Sequence, residues 1–201
     1  MSKSIAILGR GHSVTKCTKE FIDSHDEVCL VNYIIYNGYE HLVSDHADYM
    51  FGNRTSFRYS PQQVDKLGLK EMIFTGKRGQ GFDRKNPKVN GFDPSSGIQA
   101  LHYFLKQDYN KISLIGFDFY EVGSTPYYFK PSEAGEQKSL WNGSYKDNKI
   151  NVASGHDTTK SIDYLEKVII DIPEIEFNLI SHSKRVNAIG GDNVKIIDLE
   201  K

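Results

Sequence analysis

The chain reads as α/β: a single Rossmann-like domain over residues 1–201, with a mainly parallel sheet, helices on both faces and a lid segment. Three observations lead there. Strand-sized apolar runs alternate with stretches of helical periodicity, the pattern of a parallel sheet covered on both sides. The first run, Ser4-Ile5-Ala6-Ile7-Leu8, opens directly into GRGHSV at 9–14, a Gly-x-Gly turn of the kind that meets a phosphate. A length of 201 residues fills one well-buried domain and is short for two.

Taken in chain order, strands are expected at 5–8, 28–32, 49–53, 72–75, 112–117 and 177–180, with a last one at 194–199. Each is short and rich in Ile, Val, Leu or Phe. A helix is expected over 95–108, where Ile98, Leu101 and Leu105 share a face and Ser95 or Ser96 can cap the start. A second spans 158–170, its face Ile162, Leu165 and Ile169, with Pro173 as the stop. Residues 77–94, KRGQGFDRKNPKVNGFDP, break the rhythm with basic residues, glycines and prolines, and read as a solvated loop or a basic rim to an anion site. Residues 119–155 hold seven aromatics among Gly, Ser and Lys without a period. Loops of that length inside compact domains are commonly active-site lids. Both segments follow strand C-termini, where open α/β sheets place ligands.

Bulk properties exclude several classes. A net charge of −1 provides no global field for nucleic acid. No apolar run reaches the length of a membrane span. The N-terminal apolar segment is too short for a signal peptide, so a cytoplasmic location is expected. Cys17 and Cys29 show neither metal spacing nor a disulfide framework and read as reduced thiols. Homo-oligomerisation is left open.

The opening turn can be narrowed by elimination. For NAD the second strand should end in Asp or Glu to hold the ribose, but it reads VCLVN and ends in Asn32. Val14 stands where a third glycine would be, and no Gly-Lys-Ser/Thr follows for a P-loop. A strand, tight turn and helix would still offer backbone N–H groups to the phosphate of another nucleotide. Further along, SSG at 95–97 opens a helix, GFDFY at 116–120 leaves a strand, STPYYF lies at 124–129, and SGHDTTK at 154–160 sets His156 before Asp157, a natural helix cap.

The ordered set of the Gly-x-Gly-x-Ser turn, Asn32 ending strand two, Asn53 ending strand three, SSG, GFDFY and Gly-His resembles the bacterial sialyltransferases of glycosyltransferase family 42 over almost the whole chain. The resemblance implies a nucleotide-binding domain with a lid, a CMP-activated sialic acid or related keto sugar acid as donor, and a glycan or other hydroxyl as acceptor. Gly9, Arg10 and Gly11, with Asn32 and Asn53, fall on contacts to the donor. Ser95, Ser96 and Gly97 fall on a donor-binding Thr-Ser-Gly, and Asp118 and Phe119 on residues around the cytidine. Tyr120 and Tyr127 fall on two tyrosines that hold the leaving phosphate, with Tyr128 a rival because Pro126 adds a residue. His156 falls on the catalytic base of an inverting transfer. Two positions depart from the pattern: Arg10 stands where the family has an amide, and Ala153 where it has a third tyrosine.

The residue types suit that chemistry. Tyrosine hydroxyls can meet growing phosphate charge as fixed donors without a metal, and histidine can accept a hydroxyl proton near neutral pH. No cofactor is implied, and no Asp-x-Asp suggests a metal. Two alternatives remain at this point. A pyrophosphokinase-like enzyme would need a metal on carboxylates beside SSG, for which Asp93 and Asp118 are the candidates. A non-catalytic nucleotide-binding module would have no use for Gly-His at a lid hinge.

Overall fold

The computed structural model describes residues 3–32, 47–53, 67–75, 94–119 and 158–198. Within them lie strands β1 (Ser4–Leu8), β2 (Glu27–Val31), β3 (Tyr49–Asn53), β4 (Glu71–Thr75), β5 (Lys111–Ile115), β6 (Glu176–Ile180) and β7 (Val194–Ile196). They form one sheet of order β4-β3-β2-β1-β5-β6-β7 in which each neighbouring pair runs parallel. The chain winds outward from β1 to β4 on one side and from β5 to β7 on the other. The order therefore reverses between β1 and β5, and open α/β sheets bind ligands beyond the strand C-termini at that point.

Both faces of the central strands are covered, so these strands are apolar at successive positions. Ile5 and Ile7 join the core under helices α2 (Ser96–Phe104) and α3 (Thr158–Asp171). Ala6 and Leu8 join a second core on the other face with Val14 and Ile22. All four are fully buried. Removing a side chain such as Ile7 to Ala from such a core costs about 2–5 kcal/mol.

Element boundaries differ from the sequence expectation where single residues turn the chain. The strand expected at 28–32 stops at Val31 because Asn32 takes φ 52°, and the one expected at 112–117 stops at Ile115 because Gly116 takes φ 77°. The helix expected over 95–108 ends at Phe104, after which Lys106 and Gln107 donate to the carbonyls of Tyr103 and Phe104, tightening the last turn. The larger difference follows the opening turn. A 3-10 turn (His12–Lys16) comes first, and helix α1 (Lys19–Asp23) begins only after Thr18, whose hydroxyl accepts from Phe21 N at 3.2 Å. Strand β7 is described to Ile196, Ile197 N still donates to Leu179 O, and residue 199 lies outside the described residues.

Several polar groups inside the fold are paired for support. His25 Nδ1 lies 3.0 and 3.1 Å from the carbonyls of Phe21 and Ile22, which assigns its proton there. Its Nε2 accepts from the Ser113 hydroxyl at 2.7 Å, and Asn178 Nδ2 donates to the same oxygen at 3.0 Å. At the N-terminal edge of the sheet the Glu27 carboxylate meets Tyr109, Lys3 and Lys70. Burial pushes this carboxyl up, but the hydrogen bonds outweigh burial and hold it below its ordinary value. Cys17 and Cys29 are buried thiols, and burial pushes Cys17 up to about 12. Among the described residues no helix is long and apolar enough to cross a membrane.

Candidate functional site

Strands β1 and β5 deliver the two halves of one site. Beyond Leu8 the chain turns through Gly9, Arg10 and Gly11, and beyond Ile115 it turns through Gly116. The two turns are bonded to each other: Gly9 N donates to Ile115 O at 2.7 Å and Gly11 N to Gly116 O at 2.9 Å. Both glycine N–H groups of the Gly-x-Gly turn are thus spent on the neighbouring strand end. Glycine at 11 is required by this close approach, since a Cβ there would sit 2.5 Å from Gly116 O and 2.7 Å from the Asp118 carboxylate. Ser13 and Asp118 complete the junction. Asp118 Oδ2 accepts from Ser13 N at 2.8 Å, and Oδ1 accepts from the Ser13 hydroxyl at 2.5 Å and from His182 N at 2.8 Å.

A cavity opens at this junction. Gly9, Arg10 and Gly11 line it beside Gly116, Phe117, Asp118 and Phe119. Val31 and Asn32 contribute from the end of β2, and Ser95, Ser96 and Gly97 from the start of α2. Thr158 and Ser161 close it from the first turn of α3. The wall is mixed in character: Phe117 and Phe119 pack edge to face at 6.3 Å, whereas the serines, Thr158 and Arg10 are polar. Ser95 caps α2 by accepting from Ile98 N at 3.4 Å, so the cap is Ser95, and the N–H groups of Ser96 and Gly97 belong to the open first turn of the helix. With Arg10 also lining the cavity, the site favours an anion.

Nine residues singled out from the sequence therefore share one cavity: Gly9, Arg10, Gly11, Asn32, Ser95, Ser96, Gly97, Asp118 and Phe119. Asn53 ends β3 at the same edge of the sheet, paired with Thr75. Tyr120, Tyr127, Tyr128 and His156 lie outside the described residues, as do Asp157, residues 77–93 of the basic segment and residues 120–155 of the segment read as a lid. His12 is exposed and stacks on His182 with ring centroids 5.7 Å apart. Among the described residues no group of three or more His, Cys, Asp or Glu could hold a metal. Asp118, one of two carboxylates a metal-dependent reading would need, is turned to protein donors, and Asp93 lies outside the described residues.

Two features escaped the sequence reading. The Ser13–Asp118–His182 junction joins residues too far apart for any local pattern to connect. Thr158 and Ser161 did leave a signal: Ser161 is a 1% exposed polar residue beside Ile162 and Leu165 on the buried side of α3, where a helix facing only core would carry an apolar residue. Helices α2 and α3 are linked by His102, whose Nδ1 lies 2.7 Å from the Tyr164 hydroxyl. Burial pushes that phenol up to about 12 and the imidazole below its ordinary value.

No protein-family model and no curated protein matches the sequence. Solved structures do match in fold. Sialyltransferase CstII from Campylobacter jejuni, in complex with the substrate analogue CMP-3FNeuAc, superimposes with a TM-score of 0.62 over 98% of this chain and 90% of that one, at 16% identity. The monofunctional alpha-2,3-sialyltransferase Cst-I from the same organism gives 0.60 over 94% and 83%, at 14% identity. A mammalian sialyltransferase in complex with Gal-beta-1-3GalNAc-ortho-nitrophenol gives 0.50 over 88% and 69%, at 16% identity. At these identities the likeness is one of fold: a single α/β domain with the Rossmann-like sheet of these sialyltransferases.

Proposed function

We propose that this chain is a sialyltransferase-like glycosyltransferase that moves sialic acid, or a related keto sugar acid, from a CMP-activated donor to an acceptor hydroxyl. The observation that carries the reading is the cavity at the β1/β5 reversal. It gathers the Gly-x-Gly turn, the Ser-Ser-Gly helix start and the Gly-Phe-Asp-Phe segment in a fold shared with CstII, which holds a CMP-sugar analogue. In this reading the nucleotide lies against the two bonded turns, and the start of α2 meets an anionic group of the donor.

The transfer itself breaks the bond between the anomeric carbon and the CMP phosphate oxygen. Tyr120 and Tyr127, with Tyr128 as the rival position, donate hydrogen bonds to the departing phosphate as its charge grows. His156 takes the proton of the acceptor hydroxyl as that oxygen bonds to the anomeric carbon from the opposite face, giving inversion. No metal is required for these steps, because donors rather than a cation receive the phosphate charge. The acceptor is a glycan or other hydroxyl compound.

Thermal shift with CMP, CDP, ATP and NAD, each with Mg²⁺ or EDTA, tests the reading. A ligand present at about 100 times its Kd and bound only by the folded state raises stability by about 2.7 kcal/mol. CMP is expected to raise the melting temperature equally with Mg²⁺ and with EDTA. Stabilisation by NAD and none by CMP would overturn the proposal. Mass spectrometry of mixtures of CMP-activated keto sugars with hydroxyl acceptors then identifies the transfer product.

A further inference from the structure

Asp118 lines the cavity, and the resemblance to family 42 implies a contact to the nucleotide, yet its carboxylate is taken up by protein donors. It is 3% exposed. Oδ2 accepts from Ser13 N at 2.8 Å, and Oδ1 accepts from the Ser13 hydroxyl at 2.5 Å and from His182 N at 2.8 Å. The Ser181 hydroxyl stands 3.2 Å from Oδ1, but its single proton has the closer Phe117 carbonyl at 2.8 Å. Three charge-assisted bonds from two separate chain segments thus end on one carboxylate, while its neighbours Phe117 and Phe119 also line the cavity.

The geometry points to Asp118 as a positioning residue that holds the Gly-x-Gly turn against the end of β5, rather than a group that touches the nucleotide. Through Ser13 it anchors the chain just after Gly9, Arg10 and Gly11. Through His182 N it ties that anchor to the loop after β6. The Gly9–Ile115 and Gly11–Gly116 bonds then form between two segments already held together. Asp118→Asn keeps the shape but loses the charge, and its amide presents N–H toward groups that are themselves donors. Ser13→Ala is milder, removing the hydroxyl and leaving the backbone bond. This inference rests on the reading of the cavity as a nucleotide site only for its second measurement.

The first measurement is amide hydrogen exchange on the ligand-free protein. In Asp118→Asn the Gly11 amide is expected to exchange on the order of tenfold faster, the loss of about one charge-assisted hydrogen bond, with Ser13→Ala in the same direction. Leu30 in β2 serves as the reference for global opening and should stay within twofold. Acceleration of Gly11 no greater than that of Leu30 would reduce Asp118 to a general support of the fold and overturn the proposal. The second measurement is the Kd of the 5′-monophosphates of cytidine, uridine and adenosine for wild type and both variants. Positioning predicts that every nucleotide bound by the wild type weakens by the same factor. A loss confined to cytidine would show that Asp118 reads the base, and would overturn it equally. If the wild type binds none of the three, the proposed function falls and local exchange alone decides the role of Asp118. Should Asp118→Asn fail to fold, Ser13→Ala carries both measurements.

Discussion

Phe119 holds φ 48° at the rim of the cavity, a conformation that bulky L-residues avoid at a cost of about 1–3 kcal/mol. Its ring packs on Phe117, so the strain is held against aromatic burial. The strain can be read apart from the packing by comparing two truncations. Phe119→Gly and Phe119→Ala lose nearly the same ring contacts, but only glycine is at ease at positive φ. Urea denaturation is expected to find the glycine variant more stable than the alanine variant by about 1 kcal/mol, the reverse of the usual order; equal stabilities would mean that the backbone relaxes on truncation. At the same scale, the proposed chemistry predicts that His156→Ala lowers transfer by about 10²–10⁴-fold with CMP affinity nearly unchanged. Tyr120→Phe and Tyr127→Phe should each lower turnover by about 10²-fold. A Tyr128→Phe variant that loses turnover while Tyr127→Phe does not would move the phosphate contact by one residue. Wild-type transfer by His156→Ala would place the base elsewhere.

Among the elements, α2 has a double task. Its first turn faces the cavity, and its buried face, with Ile98, Leu101 and Phe104, is part of the main core. Ser95 serves the first task through its cap, though at 3.4 Å the bond to Ile98 N is long. Ser95→Ala should therefore cost about 0.5–1 kcal/mol, at the low end of the range for caps, as measured by chemical denaturation. A loss above about 2 kcal/mol would mean that Ser95 supports more than its own helix. The start of this helix could be read from SSG. The helix expected directly after Gly-x-Gly could not, because the chain there serves tertiary partners first. Ser13 is turned to Asp118 and Val14 is buried under the sheet, so the segment takes a tight 3-10 form, and Thr18 restarts the chain as α1.

Across the whole molecule, stability should fall in two steps as pH decreases. His25, His102 and His182 are each lowered from 6.5, in every case first by burial. The unfolded chain thus binds protons that the folded one resists, so stability is complete above about pH 6.5 and declines as pH falls below it. Burial pushes the Glu27 carboxyl up, but its Tyr109, Lys70 and Lys3 partners leave it lowered from 4.5, and Lys195 lowers that of Glu176 against a burial effect of the same sign. Their contribution is present above pH 4.5 and lost below it. Melting temperatures recorded from pH 8 to pH 4 should show the first decline already between about pH 6.5 and 5.5. In His25→Gln, removal of that titration should shallow this first slope; an unchanged slope would assign it to the other two imidazoles.

The strands could be found because each central one is apolar at successive positions, a local property that parallel sheets require and that survives any change in strand order. The nine cavity residues could be found because their ordered motifs resemble those of the family 42 sialyltransferases, and these motifs lie at strand ends and a helix start, where such sheets hold ligands. Strand order itself has no such local mark. It was the placement of β5 beside β1 that brought Asp118 to Ser13, 105 positions away, and turned a carboxylate that the motif assigns to a ligand toward the protein instead. The same packing set Thr158 and Ser161 at the cavity. A sequence pattern reports whether a residue is buried, but which donor meets which acceptor depends on segments that approach only when the sheet is assembled.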